Sequence, residues 1–124
     1  MSLVNLTPHP IRIYKPDTPA KIFDPAEGLI TEIPPSGEVA RLATIDLGTW
    51  SRAIHDGHAV PIEGVEYGHP VGLPVKTGED VRYIVSLAFA LAIHGRDDLL
   101  VPYGEVRNTQ GVMLGCKLLA QVAG

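Results

Sequence analysis

Arg96, Asp97 and Asp98 form a compact group of charged side chains. A guanidinium beside two carboxylates can hold a small polar ligand, and with Arg107 it can bind an anion, because the planar arginine fork matches carboxylate and phosphate oxygens. The same residues also have a structural interpretation. Arg96 would complement a helix dipole and Asp97 would accept bonds from turn amides. The structural interpretation is the commoner one for such residues.

Histidine and cysteine offer further chemistry. His9 lies between Pro8 and Pro10, and each proline restricts the residue before it, which favours a defined backbone at His9. Such a histidine can act as a base or can lock a turn, and the second role is favoured for a single histidine. Cys116 lies among apolar residues and is expected to behave as a small hydrophobe. A nucleophilic thiol would need His9 or His94 beside it.

A three-histidine zinc site is conceivable from His55, His58 and His69. Their spacing is not that of a closed zinc motif, and a single cysteine adds no support. Glycine-rich phosphate loops and a nucleophile elbow are both missing from the sequence. The sequence therefore predicts no metal site and no cofactor.

Composition and charge exclude several classes of protein. The 124 residues carry 10 Lys and Arg against 14 Asp and Glu, whereas nucleic-acid binding relies on a basic excess. The longest apolar stretch, Tyr83 to Ile93, is shorter than a membrane helix. No basic start precedes an apolar segment with a small-residue cleavage site, so a cytoplasmic location is expected. With 45% hydrophobic and 19% charged residues, we expect one globular domain over residues 1–124.

Prolines divide the predicted elements. Ten of the 11 prolines lie at or before Pro74, so this part is predicted to form short strands and loops. Residues 3–14 predict a tight hairpin or a bent strand, and residues 15–26 an irregular loop. Hairpin turns are predicted at residues 34–37, 63–64 and 108–111, and one or two helical turns at residues 46–55. Residues 99–101 are predicted to form a short buried strand that Pro102 ends.

The segment Val81 to Ile93 is predicted to form a central helix, with Asp80 as its N-cap and Gly95 closing its end. Apolar residues cover nearly every face of that helix, which indicates burial against the sheet. A strand from about Arg82 to Ser86 that leads into a shorter helix is the alternative. The predicted fold is a β-rich α+β domain of short antiparallel strands and hairpins packed on one central buried helix.

Five motifs carry a resemblance to a known family. They are Asn5–Pro10 (NLTPHP), Ile33–Gly37 with Val39–Arg41, Gly72–Pro74, Tyr83–Ser86 and Arg96–Asp98. In this order they resemble a family of small uncharacterised proteins of bacteria and their phages, over most of the chain. The resemblance implies one compact domain, a cytoplasmic setting and a link to phages or other mobile elements. It assigns no catalytic residue.

The sequence favours a non-enzymatic binding module, because no nucleophile has a base near it along the chain. Its partner is expected to be a small anion or a protein. The predicted ligand-binding residues are His9, Arg41, Arg96, Asp97, Tyr103 and Arg107. One alternative is an assembly protein whose exposed strands pair in a homo-oligomer, indicated by the positive mean hydropathy of +0.14. Another is a small hydrolase that uses His9 or the His55, His58 and His69 group, with or without metal.

Overall fold

The computed structural model describes residues 1–123 of the chain. Strands dominate this part and short loops connect them. The strands are β1 (Ser2–Asn5), β2 (Ile11–Tyr14), β3 (Lys21–Ile22), β4 (Leu29–Ile33), β5 (Arg41–His55), β6 (His58–Val71), β7 (Val81–Ile84), β8 (Leu99–Asn108) and β9 (Met113–Ala120), and helix α1 spans Leu87–Ala92. The β-rich α+β class predicted from the sequence is confirmed.

The described residues form a mixed sheet and a separate hairpin. The sheet has the order β1-β7-β8-β9-β2-β4, and β3 pairs with β8 beside this path. Strand β7 runs parallel to both β1 and β8, and β2 runs parallel to β9. The pairs β8–β9 and β2–β4 are antiparallel. Strands β5 and β6 pair with each other in a sheet of their own. We call the sheet with α1 and its loops the body, and the β5–β6 hairpin the arm.

Two apolar clusters hold the body together. The larger one lies under α1, and its buried members are Leu6, Ala40, Val85, Phe89, Ala90, Leu99 and Val101. The smaller one joins Tyr14, Ile22 and Val106. Tyr14 is fully buried, and its hydroxyl donates to the Pro25 carbonyl at 2.7 Å, which satisfies the polar end of the side chain. This bond fixes residues 15–26 against the body; the segment predicted to be an irregular loop contains the short strand β3.

The predicted central helix over Val81–Ile93 is wrong, and the alternative of a strand followed by a shorter helix is confirmed. Val81 to Ile84 pair with β1 on one side and, at Tyr83 and Ile84, with β8 on the other, which outweighs the helix preference of the alanines that follow. Ser86, not Asp80, caps α1: its hydroxyl accepts from the Phe89 amide at 3.2 Å. Only Phe89 and Ala90 of α1 are buried. The helix therefore covers one side of the sheet and is not the central buried helix that the sequence predicts.

Two of the predicted hairpin turns are wrong. Residues 34–37 do not join paired strands, since β4 pairs with β2 and β5 pairs with β6. Glu63 and Gly64 lie inside β6, and the residues predicted to be helical at 46–55 form most of β5. The turn between β5 and β6 is instead at Asp56 and Gly57. The predicted hairpin at residues 108–111 is confirmed between β8 and β9.

The start of the chain and β8 also differ from expectation. Strands β1 and β2 exist, but they neither pair with each other nor form one bent strand, since β1 pairs with β7 and β2 with β4 and β9. Strand β8 continues through Pro102 to Asn108. Pro102 is tolerated there because β8 changes partners along its length, from β7 at its start to β3 at its end. Gly95 has a φ of 80°, as predicted for the position after the helix.

Candidate functional site

The arm is built around a tight turn at its tip. Asp56 and Gly57 have φ angles of 48° and 77°, and both being positive is what a two-residue type I′ hairpin turn requires. His55 and His58 flank this turn and lie directly opposite each other. At about 3.3 Å per residue, the 14 residues of β6 extend over roughly 45 Å. The arm is therefore long compared with the strands of the body.

The arm is exposed on both faces. Every residue from Thr44 to Pro70 is exposed, apart from Gly64, which is buried. In the described part of the chain, neither outer edge of the arm pairs with another strand. Only its base packs on the body, where Leu42 contacts the larger apolar cluster. An isolated two-stranded hairpin is marginally stable in water, so this arrangement leaves the arm without the support that strands normally have.

One face of the arm is apolar. Opposite residues share a face in an antiparallel pair, and each strand alternates with a period of two, so Ala53, Val60 and Ile62 lie together. Gly64 follows on the same face, and a Cβ placed on it would overlap the Trp50 ring, so the indole lies here as well. Further along are Ile45, which is opposite Glu66, and Leu47. We call Ile45, Leu47, Trp50, Ala53, Val60 and Ile62 the apolar face.

Register shifts in β5 produce this face. They lie between Asp46 and Thr49 and between Thr49 and Ser51, and Gly48 has a φ of 90°. An extra residue in one strand re-aims the neighbouring side chain, and here it brings Trp50 onto the same face as Ile62. The opposite face is mixed. It carries Thr49, whose hydroxyl lies 3.4 Å from a Glu63 oxygen, and also the exposed apolar side chains of Ile54, Val65 and Tyr67. The Gly48 amide donates to Asp46 at 2.9 Å and holds the pKa of that carboxyl below its usual value.

His9 lies in an apolar cleft of the body, with a volume of about 450 Å³. Its loop is fixed by Asn5, which is 1% exposed. The Asn5 amide group donates to the carbonyls of His9 (2.8 Å) and Ile33 (3.1 Å). The Thr7 backbone amide and hydroxyl donate to the side-chain oxygen Oδ1 of Asn5, at 2.9 and 2.6 Å. The predicted turn-locking role at this position belongs to the His9 carbonyl and to Asn5, since the His9 side chain is exposed.

Cys116 lines the same cleft as His9, but the thiol is buried and its burial raises its pKa. A buried neutral thiol is a poor nucleophile because the thiolate is the reactive form. The Cys116 Sγ lies 3.8 Å from the Arg12 carbonyl oxygen. The environment therefore fits the predicted packing role and gives no support to a Cys–His pair.

The charged triplet is occupied by internal contacts. Arg96 donates to both carboxylate oxygens of Asp98 at 2.8 Å and to the Pro74 carbonyl at 3.0 Å. Asp98 is 2% exposed, and the Arg96 guanidinium lowers the pKa of its carboxyl. Asp97 pairs with Lys76, which lowers the pKa of Asp97. These contacts match the structural interpretation: the triplet ties the segment before β7 to the start of β8.

The other predicted binding residues lie in different places. Arg41 begins the arm, exposed and opposite Val71. Tyr103 is exposed on β8. Arg107, also on β8, donates to Glu105 (3.0 Å) and to the Gly111 carbonyl (2.8 Å), so its guanidinium closes the last hairpin. His9 and Arg96 line separate clefts. The structure thus brings no set of these residues into one anion site.

The histidines of the arm do not meet either. His55 and His58 face each other at the tip, whereas His69 lies near the base. His69 lies 11 positions after His58 along β6, which is roughly 35 Å. Among residues 1–123, no group of three or more His, Cys, Asp or Glu side chains is placed to hold a metal ion.

The sequence analysis missed the arm as a site. The dipeptide Asp56-Gly57 is a strong hairpin signal when apolar and polar residues alternate around it, and the residues on both sides do so over a few positions. The bulges around Gly48 interrupt that alternation, and Pro61 argues against a strand. The signal was therefore present at the tip and hidden along the rest of the arm.

Comparison with known proteins finds no matching family model, no matching curated protein and no matching solved structure. The described part of the chain also has no helix of sufficient length and hydrophobicity to span a membrane. The function proposed below rests on the geometry of the molecule alone.

Proposed function

We propose that the protein is a non-enzymatic assembly protein, which binds a second copy of itself through the apolar face of the arm. One observation carries the proposal: an apolar face is presented to solvent on a hairpin whose exposed length, Thr44 to Pro70, pairs with no other strand among residues 1–123. Exposed apolar patches of this kind mark interaction surfaces. A partner on this face would also supply the support that a two-stranded hairpin lacks.

The size of the face suits a dimer interface. Trp50 is 67% exposed, and Ile45, Leu47, Val60 and Ile62 are between 45% and 52% exposed. These side chains present on the order of 600 Å², compared with about 800 Å² per partner in a stable complex of standard size. The residues at the two ends of the face can supply the remainder. A large aromatic side chain at the centre of such a patch is the usual anchor of an interface.

The edges of the arm are less suited to binding than the face. Pro61 and Pro70 remove two backbone donors from β6, and register shifts distort β5. Prolines and bulges are the devices by which natural edge strands avoid pairing with other chains. The arm thus discourages strand addition, while its apolar face is left uncovered. Packing face to face is the mode of association that these features favour.

The predicted small-anion function has weaker support. The guanidinium groups of Arg96 and Arg107 already donate to carboxylates and carbonyls of the body. Binding an anion there would require those internal bonds to break. We therefore propose the homo-oligomeric assembly protein, which the sequence indicates as an alternative to the binding module.

Sedimentation equilibrium of the full chain across micromolar concentrations tests this function. We expect a dimer for the wild type, and a monomer for Trp50→Ser and for Ile62→Ser, because each introduces a hydroxyl in the centre of the buried patch. Phe23→Ser is the matched control, since Phe23 is 86% exposed and lies on the body. It should leave the dimer intact.

Thermal unfolding of each variant shows whether it remains folded. A wild-type protein that stays monomeric at every concentration would refute the proposal. So would a dimer that the Trp50 and Ile62 variants leave unchanged.

A further inference from the structure

We infer that the two arms pack antiparallel, apolar face on apolar face, about a two-fold axis at the Ser51–Ile62 pair, so that the tip of each arm lies against Glu66 of the other. This inference rests on the proposed function and specifies its geometry. A two-fold interface is isologous, which means that one patch must complement itself. The pairing register of the arm shows which positions of the patch meet each other under the two-fold rotation.

The centre of the face is complementary in size. On one side of the Ser51–Ile62 pair, Trp50 covers Gly64 and forms a ridge. On the other side, Ala53 is opposite Val60. These smaller side chains form a surface that is lower than the Trp50 ridge. A two-fold axis between them places the Trp50 ridge of one arm over Ala53 and Val60 of the second. Large and small residues then interdigitate, as they do in packed sheets about 10 Å apart.

The ends of the face are complementary in hydrogen bonding, since an imidazole N–H can donate to a carboxylate oxygen. His55 and His58 form the last pair before the turn, four positions along β6 from Ile62. Glu66 lies four positions from Ile62 in the other direction and is on the same face. The two-fold axis therefore places the histidine pair of one arm over Glu66 of the second. The Asp56 carboxylate is also at the tip and lies 3.5 Å from the His55 imidazole.

A parallel arrangement loses both features. It would place the Trp50 ridges of the two arms against each other, and it would set Glu66 against Glu66 and histidines against histidines. Like charges that meet across an interface are unfavourable. The antiparallel arrangement is thus favoured by the shape of the face, by its hydrogen-bonding groups and by the separation of the two Glu66 carboxylates.

Thiol cross-linking of full-length variants tests the arrangement. His58→Cys and Glu66→Cys are made separately, purified, mixed and treated with a short bismaleimide. Cys116 is buried and does not compete for the reagent. The antiparallel arrangement predicts cross-linked dimers in the mixture and few in either variant alone. Cross-linking within each variant alone would instead show a parallel arrangement and overturn the inference.

A charge exchange gives a second readout. Glu66→Lys should weaken the dimer about tenfold, since an ammonium group cannot accept the imidazole N–H, and the bond is lost at both symmetric ends at up to about 1 kcal/mol each. Adding His58→Glu to Glu66→Lys should restore the affinity. Glu63→Lys is the control because Glu63 lies on the opposite face, beside Thr49.

The two proposals fail in distinguishable ways. If Trp50→Ser abolishes the dimer but the mixed cross-link is absent and the charge exchange does not restore affinity, the assembly function stands and the antiparallel geometry is wrong. If the wild type shows no dimer by sedimentation, the function itself is wrong.

Discussion

Replacing Asn5 with alanine would remove a polar centre on which the loop around His9 depends. The Asn5 side chain makes four hydrogen bonds, two to the carbonyls of His9 and Ile33 and two from Thr7. It is 1% exposed, so water cannot readily replace the missing groups. At about 1 kcal/mol for each bond, with part recovered by relaxation, the loss is about 3 kcal/mol of unfolding free energy. For a chain of this size that lowers the midpoint of thermal unfolding by about 10 °C.

Asn108→Ala is the matched control for this experiment. The Asn108 side chain accepts from the amides of Gln110 and Val112, both at 2.9 Å, in the turn between β8 and β9. These amides lie near solvent, so we expect a loss of about 1 kcal/mol. Chemical denaturation measures both variants. If Asn5→Ala costs no more than Asn108→Ala, the buried hydrogen bonds of Asn5 do not hold the loop and the reasoning fails.

Three further predictions concern the body. Gly115→Ala should lower the free energy of unfolding by about 3 kcal/mol, because the new Cβ would overlap the Arg12 carbonyl oxygen. Gly111 has open space around it and only a positive φ of 82°, so Gly111→Ala should lower the same free energy by about 1 kcal/mol in chemical denaturation. The Arg96 ion pair lowers the pKa of Asp98 in the folded state, so its stabilisation is present above the unfolded pKa and is lost as the pH falls through the folded one. Asp98→Asn should lower the free energy of unfolding by about 3 kcal/mol at neutral pH. The unfolding free energy of this variant should also fall less steeply as the pH is lowered, and an unchanged pH dependence would contradict the prediction. Because burial raises the pKa of Cys116, its thiol should react slowly with an aromatic disulfide reagent in the native protein and rapidly in denaturant; equal rates would refute its burial.

Local signals predicted the parts of the fold that depend on local chemistry. The turn at residues 108–111 follows from Asn and Gly between two apolar runs, and the structure has it there. Gly95 adopts the left-handed conformation that its place after a helix requires. The strand character of Val81 to Ile84 was visible in its β-branched and aromatic residues. The whole apolar run is long enough to predict one helix. Length does not distinguish one helix from a strand that is followed by a shorter helix.

The long-range pairings could not be obtained in this way. Pro34 and Gly37 signal a change of direction equally well between strands that pair and strands that do not. Strand β1 pairs with β7, which begins 79 residues after β1 does, and no local pattern encodes that partner. The candidate site was hidden for a related reason. Its defining property is that no other strand among residues 1–123 pairs with the arm, which the composition of β5 and β6 does not reveal.

The chain leaves the body at Arg41 and returns at Val71, and these two residues are direct neighbours across the hairpin. Everything between them is therefore an excursion that begins and ends at one point. Such a segment can lengthen, shorten or be exchanged by evolution without altering the scaffold beneath it. The same body can then carry arms of different sequence, and each arm can bind a different partner.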